Sequence, residues 1–316
     1  MTAAIEHRGR GYCGRFAPSP TGPLHRGNLR TALLAWLHAR LAGGEILLRI
    51  DDLDTPRNRP GAEAAILADL LWLGLDWDGP LRRQSERRGL YSSVLSALRR
   101  SGLLYPCRCS RRLLADVSAP HCGRSVYPGF CRQRPARWGP DGGRLPSWRL
   151  RLPPGPIEWQ ERYGPPGRLD GAGQVGDVVL RRADGFLAYH LATAVDELTL
   201  GISDVLRGED LWPSTGAQVA LMGLLGAPPP RYGHLPLWLD GSGSRLSKRE
   251  GAEGLDGWRQ RGLDAAAVIA ELAASADLVP PGSRLSAREL LEELTPERFE
   301  ASLRSAVFTK ASGSRG

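Results

Sequence analysis

No apolar run in this chain approaches the ~18–20 residues that span a bilayer. Its first residues also lack the charged-then-apolar order of a secretory signal. No membrane association and a cytoplasmic location are therefore expected. Cysteine is scarce and odd in number, five in 316 residues, which does not suit the paired framework of a small secreted domain. Lysine is almost missing: only Lys248 and Lys310 stand beside 40 arginines. Glycine and proline number 39 and 25, about a fifth of the chain, below the roughly 25–30% that marks low-complexity sequence. What remains is a globular protein, long enough for two domains or one large one and able to bury a sizeable core without disulfides.

The charge that is present is unevenly placed. Basic residues number 42 against 34 acidic ones, a net charge of +8. Between Arg99 and Arg151 twelve arginines face only Asp116 and Asp141, a surplus larger than that of the whole chain. A local field of this sign suits a polyanion such as RNA; a solvated arginine surface is the plainer alternative. Four of the five cysteines fall between Cys107 and Cys131, which points to a metal site.

Local pattern divides the chain. Tyr12 to Phe16 reads as a strand, and Ala17 to Pro23, with three prolines and a glycine, is a turn. Leu29, Leu33, Trp36, Leu37 and Leu41 recur at helical spacing from Gly27 until Gly43-Gly44. Glu45 to Ile50 reads as a buried strand and Ala62 to Leu73 as a helix. Strand alternating with helix predicts an α/β fold with a parallel sheet. Tyr91 to Arg100 is amphipathic. Residues 128–173 are dense in proline and glycine, with a strand-like piece at Trp148 to Leu152, and read as an insertion with little helix. Apolar periodicity resumes at Val175 to Leu180 and Phe186 to Thr199. Leu211 to Leu225, Ala265 to Ala274 and Ala287 to Leu294 are predicted helices, and Pro296 opens another.

Three features could carry chemistry. The proline-rich turn delivers His25 and Gly27 to a helix start, where unpaired N–H groups and the positive dipole end favour phosphate. An imidazole there can hydrogen-bond a phosphate oxygen, and Gly27 lets it approach the backbone. Lys248 lies in a Gly/Ser-rich loop with Arg245, Ser247 and Arg249 around it, where a compact cation can follow charge onto a leaving pyrophosphate. Cys107 and Cys109 form a C-x-C pair, with Cys131 further on, and thiolates of this kind hold zinc tetrahedrally. His121 and Cys122 are candidates for a fourth ligand, whereas Cys13 stands apart and reads as a small buried residue.

Taken together, these segments carry a resemblance. The run from Gly14 to Leu33 resembles the nucleotide-binding signature of class I aminoacyl-tRNA synthetases, closest to their glutamyl branch. His25-Arg26-Gly27-Asn28 occupies the "HIGH" position and Arg245-Leu246-Ser247-Lys248-Arg249 the "KMSKS" loop. Arg49 to Arg57 is similar to the branch's R-I-E-D-x-D-x-x-R, and Tyr189 to Asp196 with Val205 to Leu211 is similar to its second half-site. The resemblance implies a Rossmann-type catalytic domain split by an insertion: first half 1–100, zinc-binding arginine-rich insertion 101–174, second half 175–235, then the signature loop and a short helical part, 236–316, with no anticodon-binding domain. It implies that Arg15, Phe16, Ala17, Pro18 and Ser19 line a glutamate pocket completed by Asp51, Tyr189 and Arg207. It assigns His25 and Lys248 to catalysis, and His25, Gly27, Asn28, Arg245, Ser247 and Lys248 to ATP, with Mg²⁺ on the phosphates. Glutamate brings two carboxylates and one ammonium, and arginine's planar fork matches a carboxylate bidentately. Asp51 departs from the usual glutamate, and the signature loop has arginine and leucine where lysine and methionine are usual.

The spacing from Cys109 through seventeen residues to Tyr127, then three to Cys131, resembles the zinc site of a short glutamyl-like family. There tyrosine is the fourth ligand, so Cys107, Cys109, Tyr127 and Cys131 are implied to hold one structural Zn²⁺. Only 68 residues follow Lys248, no room for the large helical module of full-length glutamyl enzymes. The close resemblance is to glutamyl-Q tRNA(Asp) synthetases, which activate glutamate with ATP and place it on queuosine at the wobble position of tRNA(Asp). A monomer whose basic insertion holds the anticodon stem-loop is expected. Two rivals remain: a split conventional glutamyl-tRNA synthetase, and a non-catalytic RNA-binding paralogue.

Overall fold

In the computed structural model, the described residues are 11–110, 113–114, 126–238 and 254–313, with side chains to 306. Short apolar strands and the helices between them set the order of the first half. These are β1 (Cys13–Phe16), α1 (Arg26–Leu41), β2 (Glu45–Ile50), α2 (Ala62–Trp72), β3 (Arg82–Arg83) and α3 (Arg88–Arg100). The middle of the chain supplies five strands among the described residues: β4 (Leu104–Cys107), β5 (Ser147–Leu150), β6 (Pro156–Trp159), β7 (Gly167–Asp170) and β8 (Val179–Arg181). Then come α4 (Tyr189–Thr199), β9 (Asp204–Gly208), α5 (Trp212–Leu224) and β10 (Arg231–Leu235). Four helices close the chain: α6 (Leu255–Gln260), α7 (Ala265–Ala274), α8 (Ala287–Glu293) and α9 (Pro296–Gly313).

β1 is buried at every position and pairs in parallel with β2, which pairs in parallel with β3. β9 and β10 form a second parallel pair. The two pairs meet at Ser203, whose N–H donates to the Cys13 carbonyl at 2.9 Å while its Oγ accepts from the Cys13 N–H at 2.8 Å. The strand sequence across the molecule is therefore β3-β2-β1-β9-β10. The connections leave β1 and β9 in opposite directions, so a crevice opens beyond their carboxyl ends, where open α/β sheets bind ligands.

α1 is buried almost all round, with Leu29, Leu33, Leu34 and Leu37 at 0% exposure. One side lies on β1 and β2, and the other is covered by α7, α8 and α9 through Val268, Ile269, Leu272, Leu290 and Phe299. Each such side chain contributes roughly 1.5–3 kcal/mol, so the C-terminal helices complete the first half's core. A second core joins α3, α4 and α5 to the middle strands.

The helices expected at 62–73, 265–274 and 287–294 form within a residue or so of their predicted limits. β3, β4, β6, β7, β9, β10 and α6 were not foreseen. The β6–β7 hairpin lies inside the proline- and glycine-rich stretch; its register puts Gly167 opposite Trp159. A Cβ on Gly167 would lie 1.9 Å from the Trp159 ring, so that glycine marks close packing rather than a loop. The periodicity read at Val175 to Leu180 also resolves differently. Residues 171–175 form a helical turn capped by Asp170, Gly176 takes φ 69°, and the strand begins at Val179.

Candidate active site

β1 ends at Phe16, and the chain turns through Ala17–Pro23 into α1. Two backbone bonds hold the turn: the Asp51 N–H donates to the Pro18 carbonyl and the Arg59 N–H to that of Pro20, each at 2.9 Å. His25 is the N-cap of α1. Its Nδ1 accepts the Asn28 N–H at 3.3 Å, and the Asn28 Oδ1 accepts the His25 N–H at 3.4 Å. Because Nδ1 accepts, the neutral ring carries its proton on Nε2, a donor suited to a phosphate oxygen. A Cβ at Gly27 would lie 3.1 Å from the His25 ring, so glycine here seats the imidazole, a reason distinct from the phosphate approach expected from the sequence. Arg26, a variant position of the tetrapeptide, lies over the Trp258 ring of α6 at 4.9 Å.

A cavity of about 400 Å³ opens beside this helix start. Arg15, Phe16, Ala17, Pro18, Ser19, His25, Gly27, Asn28, Asp51, Tyr189 and Arg207 all line it, so the structure brings together every sequence-predicted glutamate and ATP residue that is described. Arg245, Ser247 and Lys248 lie outside the described residues, as do His121 and Cys122. Tyr189 sits at the mouth, 37% exposed. A second cavity of about 310 Å³ shares Ser19, Thr21, Asp51 and Tyr189 with the first and extends to Asp54, Arg57, Arg182 and Phe186.

The arginines of the cavity differ in charge balance. The Arg15 Nε meets Glu197 at 3.2 Å, and its Nη1 donates to the Leu206 carbonyl at 3.3 Å. Arg49, unremarked in the sequence beyond its motif, is buried and grips Asp51 with Nε at 2.6 Å and Nη2 at 3.1 Å. Burial pushes the Asp51 carboxyl up, and the Arg49 charge opposes that shift. Arg207 has no carboxylate within 4.0 Å among the described residues, Glu209 included. Its Nε donates to His234 Nε2 at 3.1 Å, Nη1 to Gln218 Oε1 at 2.9 Å and Nη2 to Thr215 Oγ1 at 2.7 Å. A buried guanidinium held by neutral acceptors keeps its charge uncompensated and offers it to an incoming carboxylate.

His234 was missed in the sequence. It lies opposite Arg207 in the β10–β9 register, and its Nδ1 faces Glu161 Oε2 at 2.9 Å. Glu161 thereby selects the tautomer whose Nε2 lone pair accepts from Arg207. Burial lowers the His234 pKa, and Arg207 and Arg15 lower it further against Glu161. His190, beside Tyr189, is pushed down to about 4 by burial and by Arg207.

β4 ends at Cys107, which starts the cysteine cluster. The sulfurs of Cys107, Cys109 and Cys131 lie within 4.8 Å of one another, with Cys109 and Cys131 3.7 Å apart. The Tyr127 oxygen is 3.4 Å from Cys107 Sγ and 3.7 Å from Cys109 Sγ. Tetrahedral zinc with sulfur at ~2.3 Å separates two sulfurs by about 3.8 Å, so this donor set fits the ion. The Cys131 N–H donates to the Tyr127 oxygen at 2.9 Å. Burial raises the Tyr127 phenol well above its ordinary value and pushes the Cys109 thiol up to about 11, so a cation is what would deprotonate them. Cys13 is buried, as expected.

A parallel sheet with a histidine-capped helix start at its switch point defines an α/β domain of the kind that binds ligands beyond the carboxyl ends of its strands. Residues 13–272 match the family described as tRNA synthetases class I (E and Q), catalytic domain, and the chain belongs to that family. It is 56% identical over 307 residues to the glutamyl-Q tRNA(Asp) synthetase of Prochlorococcus marinus strain MIT 9303, covering 97% of this chain and 95% of that protein. It is 47% identical over 298 residues to the glutamyl-Q tRNA(Asp) synthetase of Symbiobacterium thermophilum, covering 88% and 91%. Within the class, it is a member of the glutamyl-Q tRNA(Asp) synthetases. A solved glutamate tRNA ligase from Elizabethkingia meningosepticum, in complex with its amino acid, superposes with a TM-score of 0.73 at 29% identity, covering 90% of this chain. The chain spans only 64% of that ligase's length. Among the described residues no helix is long and apolar enough to cross a membrane.

Proposed function

We propose that this chain activates L-glutamate with ATP to glutamyl-adenylate and transfers the glutamyl group to queuosine at the wobble position of tRNA(Asp). The observation that carries this reading is the one cavity in which Arg207's uncompensated charge, Asp51 and the histidine-capped start of α1 meet. High identity to proteins of that name over nearly their full length supports the choice of acceptor.

Arg207 takes the side-chain carboxylate of glutamate and discriminates against glutamine, which cannot match its charge. Asp51, fixed by Arg49, faces the ammonium. The α-carboxylate then points at the helix start, attacks the α-phosphorus of ATP in line, and pyrophosphate leaves. The His25 Nε2 proton and the first N–H groups of α1 stabilise the pentacoordinate charge, with Lys248 following the leaving group. Mg²⁺ bound with ATP supplies further charge neutralisation on the phosphates. An acceptor hydroxyl entering from the second cavity attacks the mixed anhydride, and AMP departs. No side chain need form a covalent intermediate.

Cys107, Cys109, Tyr127 and Cys131 would hold zinc, tying the end of β4 to the Tyr127–Cys131 segment of the insertion. We read the protein as a cytoplasmic monomer. Glutamate-dependent ATP–pyrophosphate exchange without tRNA tests the activation step. Exchange is the expected result. Exchange that appears only with tRNA would favour a conventional glutamyl enzyme, and none under either condition a binding paralogue.

A further inference from the structure

Among the described arginines between Arg99 and Arg151, several are tied into the fold. Arg108 donates to the carbonyls of Arg137, Gly139 and Arg144 and so pins the loop that follows the cysteine cluster. Arg132 pairs with Asp177, Arg151 donates to the Arg132 carbonyl, and buried Arg149 lies over the Tyr127 ring. Those four hold the fold. Arg99 is different: it is exposed, in the last turn of α3, and lies 4.2 Å from the Trp138 ring centroid and 5.4 Å from that of Trp148. The two tryptophans meet edge-on at 5.0 Å, and both remain partly exposed. On the next strand Arg181, the register partner of Trp148, lies 5.1 Å from the same ring. Neither Arg99 nor Arg181 has a carboxylate within ion-pair distance among the described residues.

We propose that Arg181, Trp148, Trp138 and Arg99 form a track for the phosphate backbone of RNA flanking the acceptor nucleotide, a proposal that rests on the aminoacyl-transfer reading above. A guanidinium stacked on an indole is held in one orientation while its in-plane N–H donors stay available, the geometry that grips a phosphate bidentately. Little rotamer freedom is then lost on binding, and the indole edges offer a surface for an unstacked base. The track also starts in the right place. Arg181 adjoins Arg182, a wall of the second cavity, and Val179 of the same strand lines that cavity too. An acceptor nucleotide seated there would lead its neighbours onto Arg181 and outward to Arg99. An acidic protein face or an anionic membrane would have no use for the adjoining cavity, which RNA that carries the acceptor nucleotide would fill.

The test is binding of a synthetic RNA hairpin carrying the tRNA(Asp) anticodon-loop sequence, measured across a potassium chloride series for the wild type, Arg99→Gln, Arg181→Gln and the double variant. Each loss of a phosphate contact is expected to reduce the slope of log K against log salt by about 0.7, and the double variant by about twice that. Affinity near 0.1 M salt should fall on the order of tenfold in the double variant. Glutamate-dependent pyrophosphate exchange and the melting temperature should stay at wild-type values, because neither arginine reaches the adenylate cavity. Unchanged slopes in folded, exchange-competent variants would overturn the track. So would loss of binding to phosphatidylglycerol vesicles with RNA binding intact. Absence of exchange in the wild type would instead count against the catalytic reading, which the RNA slopes do not measure.

Discussion

Replacing His234 by phenylalanine isolates what orients Arg207. The ring would keep its stacking on Tyr232, where centroids lie 5.9 Å apart at 9°. It would lose the Nε2 acceptor that the Arg207 Nε–H reaches at 3.1 Å. Glu161 would keep the His234 backbone N–H at 2.9 Å and the Trp159 Nε1–H at 3.2 Å, so the new deficit falls mainly on Arg207. A buried donor left unsatisfied costs about 1–3 kcal/mol. With that cost appearing as lost orientation of the guanidinium, the KM for glutamate rises roughly 5- to 140-fold, since ~1.4 kcal/mol is tenfold. Pyrophosphate exchange with varied glutamate and varied ATP is the assay, and the KM for ATP should move less than about twofold on this uniform-binding argument. His234→Gln, which returns an acceptor oxygen, should recover most of the loss. Acidification should also raise the glutamate KM in the wild type, because a proton on Nε2 would oppose both Arg207 and Arg15. An unchanged glutamate KM in the phenylalanine variant, or equal rises for glutamate and ATP, would refute the reasoning.

Three further predictions concern separate parts of the molecule. Asp51→Asn should raise the glutamate KM roughly 10- to 100-fold, the value of a charge-assisted bond, whereas Asp51→Glu, the usual family residue, should stay close to wild type in the same exchange assay. Cys107→Ser should reduce the zinc content measured by atomic emission and lower the melting temperature; a wild-type protein purified without chelator that holds no zinc would contradict the metal reading. His190, held down at about 4 in the fold, binds a proton more readily when unfolded, where its pKa is ~6.5. Stability should therefore fall as pH drops through that window, and His190→Asn should lose less between pH 7 and 5 in urea unfolding.

The parts of the fold with a local period were legible: Leu29, Leu33 and Leu37 announce α1, and the apolar run of β2 is bounded by glycine and by acids. Parts that depend on distant pairing were not. β10 reads Arg-Tyr-Gly-His-Leu and shows neither alternation nor a continuous apolar run; it becomes a strand by pairing with β9. The same pairing sets His234 opposite Arg207, which no local pattern announces. The motif residues that are described line one cavity, and Gly27, picked out in the sequence for close approach to phosphate, also leaves room for the His25 ring. Charge counting found the basic stretch but not its division, because an arginine that bonds carbonyls and one poised on an indole look alike in a sequence.

Glutamate transfer to tRNA(Asp) with and without queuosine tests the central claim most directly. Radiolabelled glutamate, ATP and the protein are incubated with each tRNA, and the product is challenged by removal of the terminal adenosine. The account predicts label only on the queuosine-containing tRNA, retained after the terminal adenosine is removed. Label that appears on either tRNA and is lost with that adenosine would contradict it.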